Sequence, residues 1–371
     1  MPSGATAGAA ASASAGTSGG VGARNPFWAA SNWYFESNNT EIVNGSWQLT
    51  SSQKSFSVPL NTNGFLRDYR IVVRSTGAVG GTPQGDGPFN LFQNITFKVP
   101  NGSEFFQDAT GYDHFLFQSY GRPWEGNPTE WFDYSRNINP SFTLKLSPEI
   151  RHTAGSLANM DSRRNYVVSG QIATTTQLNG SSASTAPTIT FASGIDTWAQ
   201  PDSMNLLQVP NELVPPGVAL QTYRRKATVT LNGAGSNNTI DARSLTGNLQ
   251  RLVMLVVRDS NGVRQDYLTD PIVFKIDDRT IGNFTQADLF GLLNDFYGTT
   301  IVQRPTGVYV WPRFYNTSNG VAQGWLPTDG ATKEIWTSST SSTASNVPGT
   351  VDILVEDLVP LQALPADLVN V

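Results

Sequence analysis

The sequence predicts an all-β protein that consists of two tandem β-sandwiches, each with one short helix in a loop between strands. Short runs of alternating apolar and polar residues recur along the chain, separated by clusters of turn-forming residues, as in antiparallel sandwiches. Charged residues make up only 14% of the 371 positions, whereas Gly, Ser, Thr, Asn and aromatic residues are abundant, which is typical of strands and loops. One stretch is also written twice, which indicates a duplicated domain.

The duplicated stretches are Ile95–Gly121 and Ile272–Gly298, which are offset by 177 residues (272 − 95). Each begins with an Ile-x-Phe-Lys-Val/Ile alternation that predicts a strand, and each ends with Tyr-Gly after 20 intervening residues. Upstream of both copies lies the triplet Val-Val-Arg, at Val72–Arg74 and Val256–Arg258, with a shorter loop in the second copy. Two matches in the same order, separated by a gap of loop size, favour duplication over coincidence.

A helix is predicted after the repeated strand in the second copy. Thr285 suits the N-cap, Asp288 occupies the third helical position, and Phe284 can pack on Leu289 across the helix start. Gly298 supplies a left-handed stop. Apolar residues at i, i+3, i+4 and i+7 form one stripe, which predicts that four side chains are buried: Leu289, Leu292, Leu293 and Phe296.

The 177-residue spacing places a corresponding helix in the first copy. Asp108 takes the N-cap position, Gly121 ends the helix, and the stripe positions are Tyr112, Phe115, Leu116 and Ser119. Three of these four stripe residues are apolar, so we expect each half to hold one short amphipathic helix with its apolar side on a sheet.

Alternation predicts further strands on both sides of the repeats. Those of the first half are Phe56–Leu60, Tyr69–Arg74, Asn94–Val99, Phe142–Leu146, Tyr166–Ala173 and Thr188–Phe191. Those of the second half are Ala227–Leu231, Leu252–Arg258, Ile272–Ile276, Val308–Trp311 and Val351–Val355. Leu252–Arg258 is almost continuously apolar, which predicts a strand that is buried on both faces.

Composition and the positions of residues that interrupt helices and strands divide the chain into four parts. Residues 1–24 are rich in Gly, Ala and Ser and lack a basic region, so we predict a flexible tail rather than a signal peptide. The first sandwich is expected at 25–195, a proline-rich linker at 196–220, and the second sandwich with a C-terminal tail at 221–371. The aromatic cluster Phe27–Phe35 suits either packing under the first sandwich or contact with a lipid surface.

Charge and cysteine content exclude several classes of protein. The net charge of −5 argues against a general binder of phosphate backbones. The absence of cysteine excludes disulfides, zinc-thiolate sites and thiol catalysis. No run of 18 apolar residues is present, so no membrane-spanning segment is predicted.

The polar residues predict no catalytic, cofactor-binding or metal site. A metal site on a β-sandwich needs several histidines from neighbouring strands, and the chain has only His114 and His152. Asp113 adjoins His114, but no Gly-x-Ser-x-Gly motif accompanies it, which disfavours a serine hydrolase. Asp259–Gly262 lacks the further ligands of a calcium loop and predicts a tight turn.

Two pairs of acidic residues and two runs of basic residues are interpreted as structural. The carboxylate pairs Asp277-Asp278 and Glu356-Asp357 are expected in solvated turns, and neighbours along a strand would point to opposite faces. The basic spots Arg163-Arg164 and Arg224–Lys226 suit intersubunit ion pairs or solvated faces, with contact to anionic lipid or nucleic acid as the alternative.

Two further passages complete a resemblance to a known family. Pro305–Val310, which reads Pro-Thr-Gly-Val-Tyr-Val, follows the second capped helix, and Gly155–Val167 leads from a loop into a strand late in the first half. With the duplicated strand and helix, this order resembles the double jelly-roll major capsid proteins of tailless icosahedral viruses, especially the tectivirus-like phages. The resemblance implies a jelly roll of eight strands in each half, with a helix in one inter-strand loop.

The resemblance also implies a function. It implies a structural major capsid protein, not an enzyme, that forms a homotrimer shaped as a pseudo-hexamer and builds an icosahedral shell. Its partners would be copies of itself, neighbouring capsomers, minor capsid or penton proteins, and an internal viral membrane beneath the N-terminus, without sequence-specific nucleic acid. It would be made in the host cytoplasm and reside in the virion. Trimer contacts are expected in the aromatic loop Gly121–Tyr134 and the linker Pro201–Gly217. The alternative is a β-sandwich protein that binds or cleaves glycans.

Overall fold

The computed structural model describes most of the chain between residues 34 and 360. The described residues are 34–41, 47–60, 64–98, 104–122, 138–139, 141–150, 155–158, 165–199, 220–297, 304–313, 325–328, 330, 333–347 and 349–360. The tail at 1–24 lies outside them, as do most of the aromatic loop and most of the linker. Each strand predicted from alternation overlaps an observed strand, but most observed strands are longer than predicted, and the one that begins at Thr188 runs to Ala199 rather than to Phe191.

Within the ranges given above, twelve strands precede the linker. They are β1 (Tyr34–Glu41), β2 (Trp47–Gln48), β3 (Lys54–Pro59), β4 (Phe65–Thr76), β5 (Val79–Gly80), β6 (Phe92–Lys98), β7 (Glu104–Ala109), β8 (Ser141–Leu146), β9 (Leu157–Ala158), β10 (Val167–Ile172), β11 (Ala183–Thr185) and β12 (Thr188–Ala199). Strand β12 continues past residue 195, where the sequence predicts that the linker begins.

Nine strands follow the linker in the described residues. They are β13 (Leu220–Thr230), β14 (Asn237–Asp241), β15 (Leu249–Arg258), β16 (Leu268–Ile276), β17 (Arg279–Phe284), β18 (Val308–Pro312), β19 (Leu326–Pro327), β20 (Glu334–Thr340) and β21 (Thr350–Pro360). Three helices complete the described elements: α1 (Gly111–Gly121), α2 (Thr175–Asn179) and α3 (Gln286–Tyr297). Two 3₁₀ turns lie at Phe89–Leu91 and Arg243–Leu245.

The two halves have the same strand order. In the first half one sheet runs β1-β12-β4-β8, and the facing strands run β3-β10-β6-β7. In the second half the corresponding sheets run β13-β21-β15-β18 and β14-β20-β16-β17. Each half is therefore an eight-stranded antiparallel sandwich wound as a jelly roll, with its helix in the loop that returns from one sheet to the other. This confirms the predicted all-β fold class.

A shared bulge supports the duplication at the level of backbone geometry. Strands β4 and β15 correspond at an offset of 184 residues (256 − 72), as the repeated Val-Val-Arg triplets require. Each pairs with the last strand of its own sandwich, and each ladder skips one residue. The skipped residue is Arg67 in β4 and Arg251 in β15, which are also 184 positions apart (251 − 67). Two unrelated sandwiches would have no reason to break the ladder at the same place.

The helix of the second sandwich begins where the sequence predicts. The Asp288 amide donates to Thr285 Oγ1 at 3.0 Å, and Asp288 accepts from Thr285 in return. Leu289 and Leu293 are buried as predicted, but Leu292 is 40% exposed, so its predicted burial is wrong. Phe290 takes its place in the core. The buried face of the helix is therefore rotated relative to the predicted stripe, so that it includes Phe290 instead of Leu292.

The helix of the first sandwich differs from the prediction in two respects. Its N-cap is Thr110 rather than Asp108, and Thr110 forms a reciprocal capping box with Asp113. The 177-residue offset fails here because the preceding hairpin is longer in the first copy. Helix α1 is also buried around most of its circumference rather than on one side, because the second sandwich covers the side that its own sheet leaves open.

Candidate functional site: the interface between the two sandwiches

The two sandwiches meet along one sheet edge and one helix. Strand β7 of the first sandwich lies parallel to β13 of the second, with Phe106 opposite Arg224, which joins both into a single sheet. Beside this junction α1 packs on β18 and β21 of the second sandwich. The covered face of the second sandwich also carries buried apolar side chains: Leu252, Met254 and Leu354. This explains why the strand predicted at Leu252–Arg258 is apolar on both faces.

Glu356 lies at the centre of this interface and binds three arginines. Glu356 and the guanidinium groups of Arg122, Arg224 and Arg251 are at most 1% exposed. Arg122 Nη1 lies 3.1 Å from Glu356 Oε1, Arg224 Nε lies 3.1 Å from Oε2, and Arg251 Nη1 lies 2.5 Å from Oε1. Arg122 follows α1, whereas the other three residues belong to strands of the second sandwich. The cluster therefore ties the helix end of one sandwich to the sheet of the other.

Electrostatics keep this carboxylate ionised. Burial alone would raise the pKa of Glu356, but the attraction of Arg122, Arg251 and Arg224 outweighs burial and lowers that pKa to about 2. Burial lowers the pKa of Arg224 and of Arg251 to about 10, which leaves both charged at neutral pH. Removing one charge from such a cluster leaves the others uncompensated in a low dielectric.

Backbone carbonyls from the first sandwich offset the surplus of positive charge. Gly121, the last residue of α1, accepts from Arg122 Nη1 at 3.1 Å and from Arg251 Nη2 at 2.5 Å. Ser147 accepts from Arg122 Nη2 at 2.9 Å and from Arg224 Nη2 at 3.3 Å. The helix terminus is the negative end of its dipole, so α1 is oriented to stabilise these cations.

The other end of α1 is tied to the second sandwich by an ion pair. Lys226 Nζ lies 2.8 Å from Asp113 Oδ2 and 3.3 Å from Asp352 Oδ2. Asp113 is the capping-box residue of α1, so one carboxylate both caps the helix and crosses the interface. Burial would raise the pKa of Asp113, but the charge and hydrogen bond of Lys226 lower it.

A loop of the first sandwich adds a third contact. Asp86 lies 2.6 Å from Arg258 Nη1 and 2.7 Å from Arg264 Nε, both in the second sandwich. The Arg264 guanidinium also lies 4.7 Å from the ring of Tyr112 in α1. Arg258 is the arginine of the repeated Val-Val-Arg triplet, so the repeat places a residue at the interface.

A second polar cluster lies inside the second sandwich. Glu334 and Asp357 are buried, and Asp357 accepts from Arg225 Nε at 2.7 Å. Glu334 accepts from Gln250 and lies 3.9 Å from Arg313 Nη2. Burial raises the pKa of Glu334 to about 7 and that of Asp357 to about 6, because these partners only partly compensate for the loss of water.

Several sequence-based interpretations of charged residues are wrong. Glu356 and Asp357 lie in the middle of β21 rather than in a solvated turn, although they do point to opposite faces as predicted. Arg224–Lys226 forms ion pairs with carboxylates of the same chain, and Arg224 is buried rather than solvated. The interface residues Arg122 and Arg251 were missed, because no local pattern shows that distant strands bring them to Glu356.

Other predicted features are found as expected. The Asp259 carboxylate accepts from the amides of Asn261 and Val263, which makes Asp259–Gly262 a tight turn. Asp277-Asp278 forms the hairpin turn between β16 and β17. His114 is buried beside Ile95, and burial lowers its pKa to about 3, so it is neutral. His152 and Arg163-Arg164 lie outside the described residues.

Within the described ranges, no group of three or more His, Cys, Asp or Glu side chains is arranged to hold a metal ion. Over the same ranges, no helix is both long enough and apolar enough to cross a bilayer.

Comparison with known proteins identifies the fold by structure alone. No protein-family model and no curated protein sequence matches the chain. The structure is similar to that of the major capsid protein of Sulfolobus turreted icosahedral virus, with a TM-score of 0.60 and 14% identity over 89% of this chain and all of that one. For the major capsid protein of bacteriophage PM2 the TM-score is 0.53 at 12% identity, over 87% of this chain and 97% of that one.

A third structure extends the similarity. The Faustovirus major capsid protein has a TM-score of 0.54 at 9% identity, over 88% of this chain and 90% of that chain. All three matches span both sandwiches rather than one, and together with the strand order they identify the architecture. The chain has the double jelly-roll fold of the major capsid proteins of icosahedral viruses.

Proposed function

We propose that this chain is a structural major capsid protein that trimerises into pseudo-hexameric capsomers and builds an icosahedral virus shell. The observation that carries the proposal is the buried interface, where Glu356 and its three arginines hold two like jelly rolls in one fixed orientation. A rigid unit with two similar lobes presents six similar lobes when three copies close into a ring. Such a ring can tile a hexagonal lattice with a single gene product.

The proposal includes partners and location. Copies of the chain form the trimer and contact neighbouring capsomers, and minor capsid or penton proteins fill the remaining positions. The protein is made in the host cytoplasm and resides in the virion, with an internal membrane beneath the N-terminus. The first folding unit extends through the end of β12 at Ala199, the second begins with β13 at Leu220, and neither acts as an enzyme.

Glu356 and Asp357 do not supply the pair of carboxylates that the glycan-cleaving alternative requires. A glycosidase needs two carboxyl groups that face each other across an open cleft. Glu356 and Asp357 are instead inaccessible and lie on opposite faces of one strand.

Negative-stain electron microscopy of the purified protein tests the proposal. We expect particles with a hexagonal outline, or closed shells with hexagonally arranged capsomers. A preparation of folded, isolated two-lobed particles at micromolar concentration would contradict it.

A further inference from the structure

A groove that is open to solvent lies at the end of the second sandwich where β16 turns into β17. Its volume is about 590 Å³, and three apolar residues form what we call the groove wall: Ile276, Ile281 and Leu326. In the ladders, Ile276 stands opposite Glu334 of β20, and Leu326 stands opposite Gln250 of β15. Because residues directly opposite each other on antiparallel strands point to the same face, Glu334 and Gln250 each lie beside an apolar side chain of the groove wall.

The two polar residues behind this wall are buried but incompletely hydrogen-bonded. Glu334 and Gln250 are 0% exposed, and the side-chain amide of Gln250 donates to Glu334 Oε2. Within the described residues, neither Glu334 Oε1 nor Gln250 Oε1 has a hydrogen-bond partner. Arg313 Nη2 lies 3.9 Å from Glu334 Oε1, which is beyond hydrogen-bond distance. Ionised Glu334 therefore lacks the hydrogen bonds that a buried carboxylate needs, whereas its protonated form costs less to bury.

A second buried carboxyl group lies next to Glu334. Asp357 of β21 stands opposite Gln250 of β15, so both side chains project into the same interior as Glu334. Asp357 Oδ2 accepts from Arg225 Nε at 2.7 Å and from Asn248 Nδ2 at 3.3 Å. Its Oδ1 is buried without a partner among the residues that the structure describes. The carboxyl pair, Glu334 and Asp357, thus stands between the two sheets of the sandwich, since β20 and β21 belong to different sheets.

The charged groups that face the carboxyl pair compensate for burial only in part. Burial is the largest influence on both groups and raises the pKa of Glu334 to about 7 and that of Asp357 to about 6. Arg313, which follows β18, and Arg225 of β13 oppose this rise. The charge of Asp357 raises the pKa of Glu334 further, and the charge of Glu356 does the same to Asp357. The pair therefore holds protons at mildly acidic pH that carboxyl groups in water would release.

The elements that close this end of the sandwich are short or begin here. Strand β19 has two residues, and β20 begins at Glu334 itself. Ile281 of the groove wall is 44% exposed, and Asp277-Asp278 forms the turn of the adjoining hairpin. Regions with few buried contacts open at a lower free energy than the core strands. A charge that appears at Glu334 should therefore open this end before it unfolds the sandwich.

We propose that Glu334, Asp357 and Gln250 form a proton-controlled latch between the two sheets of the second sandwich. While both carboxyl groups hold their protons, the sheets stay closed behind the groove wall. When the pair ionises as the pH approaches neutrality, Ile276 and Leu326 separate and water enters through the groove. The latch is a property of one chain, so it does not depend on the proposed function.

Hydrogen–deuterium exchange of the full chain measures the latch directly. Exchange of the β20 amides is followed by mass spectrometry at about pH 5 and about pH 8, and each rate is divided by the intrinsic rate of an unstructured peptide at that pH. We expect the protection of β20 to fall by about tenfold or more between these two pH values, because opening releases protons. Equal protection at both pH values would overturn the proposal.

Two variants assign the effect to the carboxyl pair. Glu334→Gln with Asp357→Asn keeps the shape of both side chains but cannot ionise, so β20 should keep the same protection at both pH values. Glu104→Gln is the matched control, because Glu104 is 38% exposed and pairs with Lys98, and it should show the same fall as the parent protein. If the double variant does not fold, Glu334→Gln is measured alone, and its fall should be smaller than that of the parent protein. A fall equal to that of the parent protein in either neutral variant would overturn the latch.

Low concentrations of urea separate local opening from unfolding of the subunit. Local opening exposes little surface, so exchange of β20 at about pH 8 should hardly depend on urea. The most protected amides of β10, an inner strand of the first sandwich, report on global unfolding and should depend steeply on urea. The same urea dependence in both strands would show that the pH unfolds the whole subunit, which would contradict a latch.

Discussion

Tyr297 donates a hydrogen bond of 2.8 Å from its phenol oxygen to the backbone carbonyl of Tyr120, the residue 177 positions earlier in the chain. Their rings also meet edge to face, with centroids 5.2 Å apart. Both residues stand in the last turn of a repeat helix, so the ends of α1 and α3 meet at the interface. The repeated Tyr-Gly ending is thus a contact between the two copies as well as a mark of their duplication.

The buried charge cluster should dominate the stability of the subunit. Glu356→Gln leaves three buried arginines with only carbonyl partners, and we expect it to lower the free energy of unfolding by about 3–5 kcal/mol. Glu104→Gln is the matched control, since Glu104 pairs with Lys98 at 3.2 Å while 38% exposed, and should cost about 1 kcal/mol or less. Urea unfolding of both variants measures the difference. Equal midpoints would show that the cluster does not hold the sandwiches together.

The two neighbouring leucines of α3 should behave differently. Leu293→Ala is expected to cost about 2–5 kcal/mol, the range for a core leucine, because Leu293 is 3% exposed. Leu292→Ala should change the free energy of unfolding by about 0.5 kcal/mol or less, because its side chain is already in water. Thermal melts of the two variants under identical conditions compare them. A larger loss for Leu292 would refute the observed orientation of the helix.

Glu334 should make the subunit less stable as the pH rises towards neutral. Its pKa is raised from the 4.5 of an exposed glutamate to about 7, so the folded state holds a proton that the unfolded state has lost. Its stabilising contribution is therefore present below about pH 4.5 and is lost as the pH rises through about 7. Glu334→Gln should remove this loss, so between about pH 5 and 7.5 its stability should rise relative to the parent protein. Parallel pH profiles for the two proteins would contradict the assignment.

The tail is expected to be unnecessary for folding of the sandwiches. Residues 1–24 are almost entirely small or polar and cannot bury enough apolar surface to offset the entropy of ordering. A chain that begins at Asn25 should therefore give soluble protein with the circular dichroism and melting temperature of the full chain. Insoluble or unfolded material from that shortened chain would show that the tail contributes to the core.

Sequence periodicity could predict the strands and helices because these depend on local alternation. The cap at Thr285 was predicted from its own neighbours and is confirmed. The cap at Asp108 was predicted from the offset alone and is wrong, because the longer hairpin between β6 and β7 moves the helix start to Thr110. Phe290 is buried and Leu292 is exposed because the helix is rotated to fit the sheet on which it packs. The spacing of its apolar residues does not predict that rotation.

The interface could not be predicted because its parts lie far apart in the chain. Arg122 and Glu356 are 234 residues apart, and nothing near either residue indicates the other. One signal was available: the strand predicted at Leu252–Arg258 is apolar on both faces, yet an arginine precedes it at the bulge and another stands at its end. Arginine in a strand that is buried on both faces requires a buried acid, and Glu356 on the adjacent strand supplies it.

The oligomeric state in solution tests the central claim most directly. Size-exclusion chromatography with light scattering at micromolar concentration should give the mass of three 40.1 kDa chains, or of a larger assembly built from such trimers. A stable, folded species with the mass of one chain under the same conditions would contradict the claim that this protein functions by assembling.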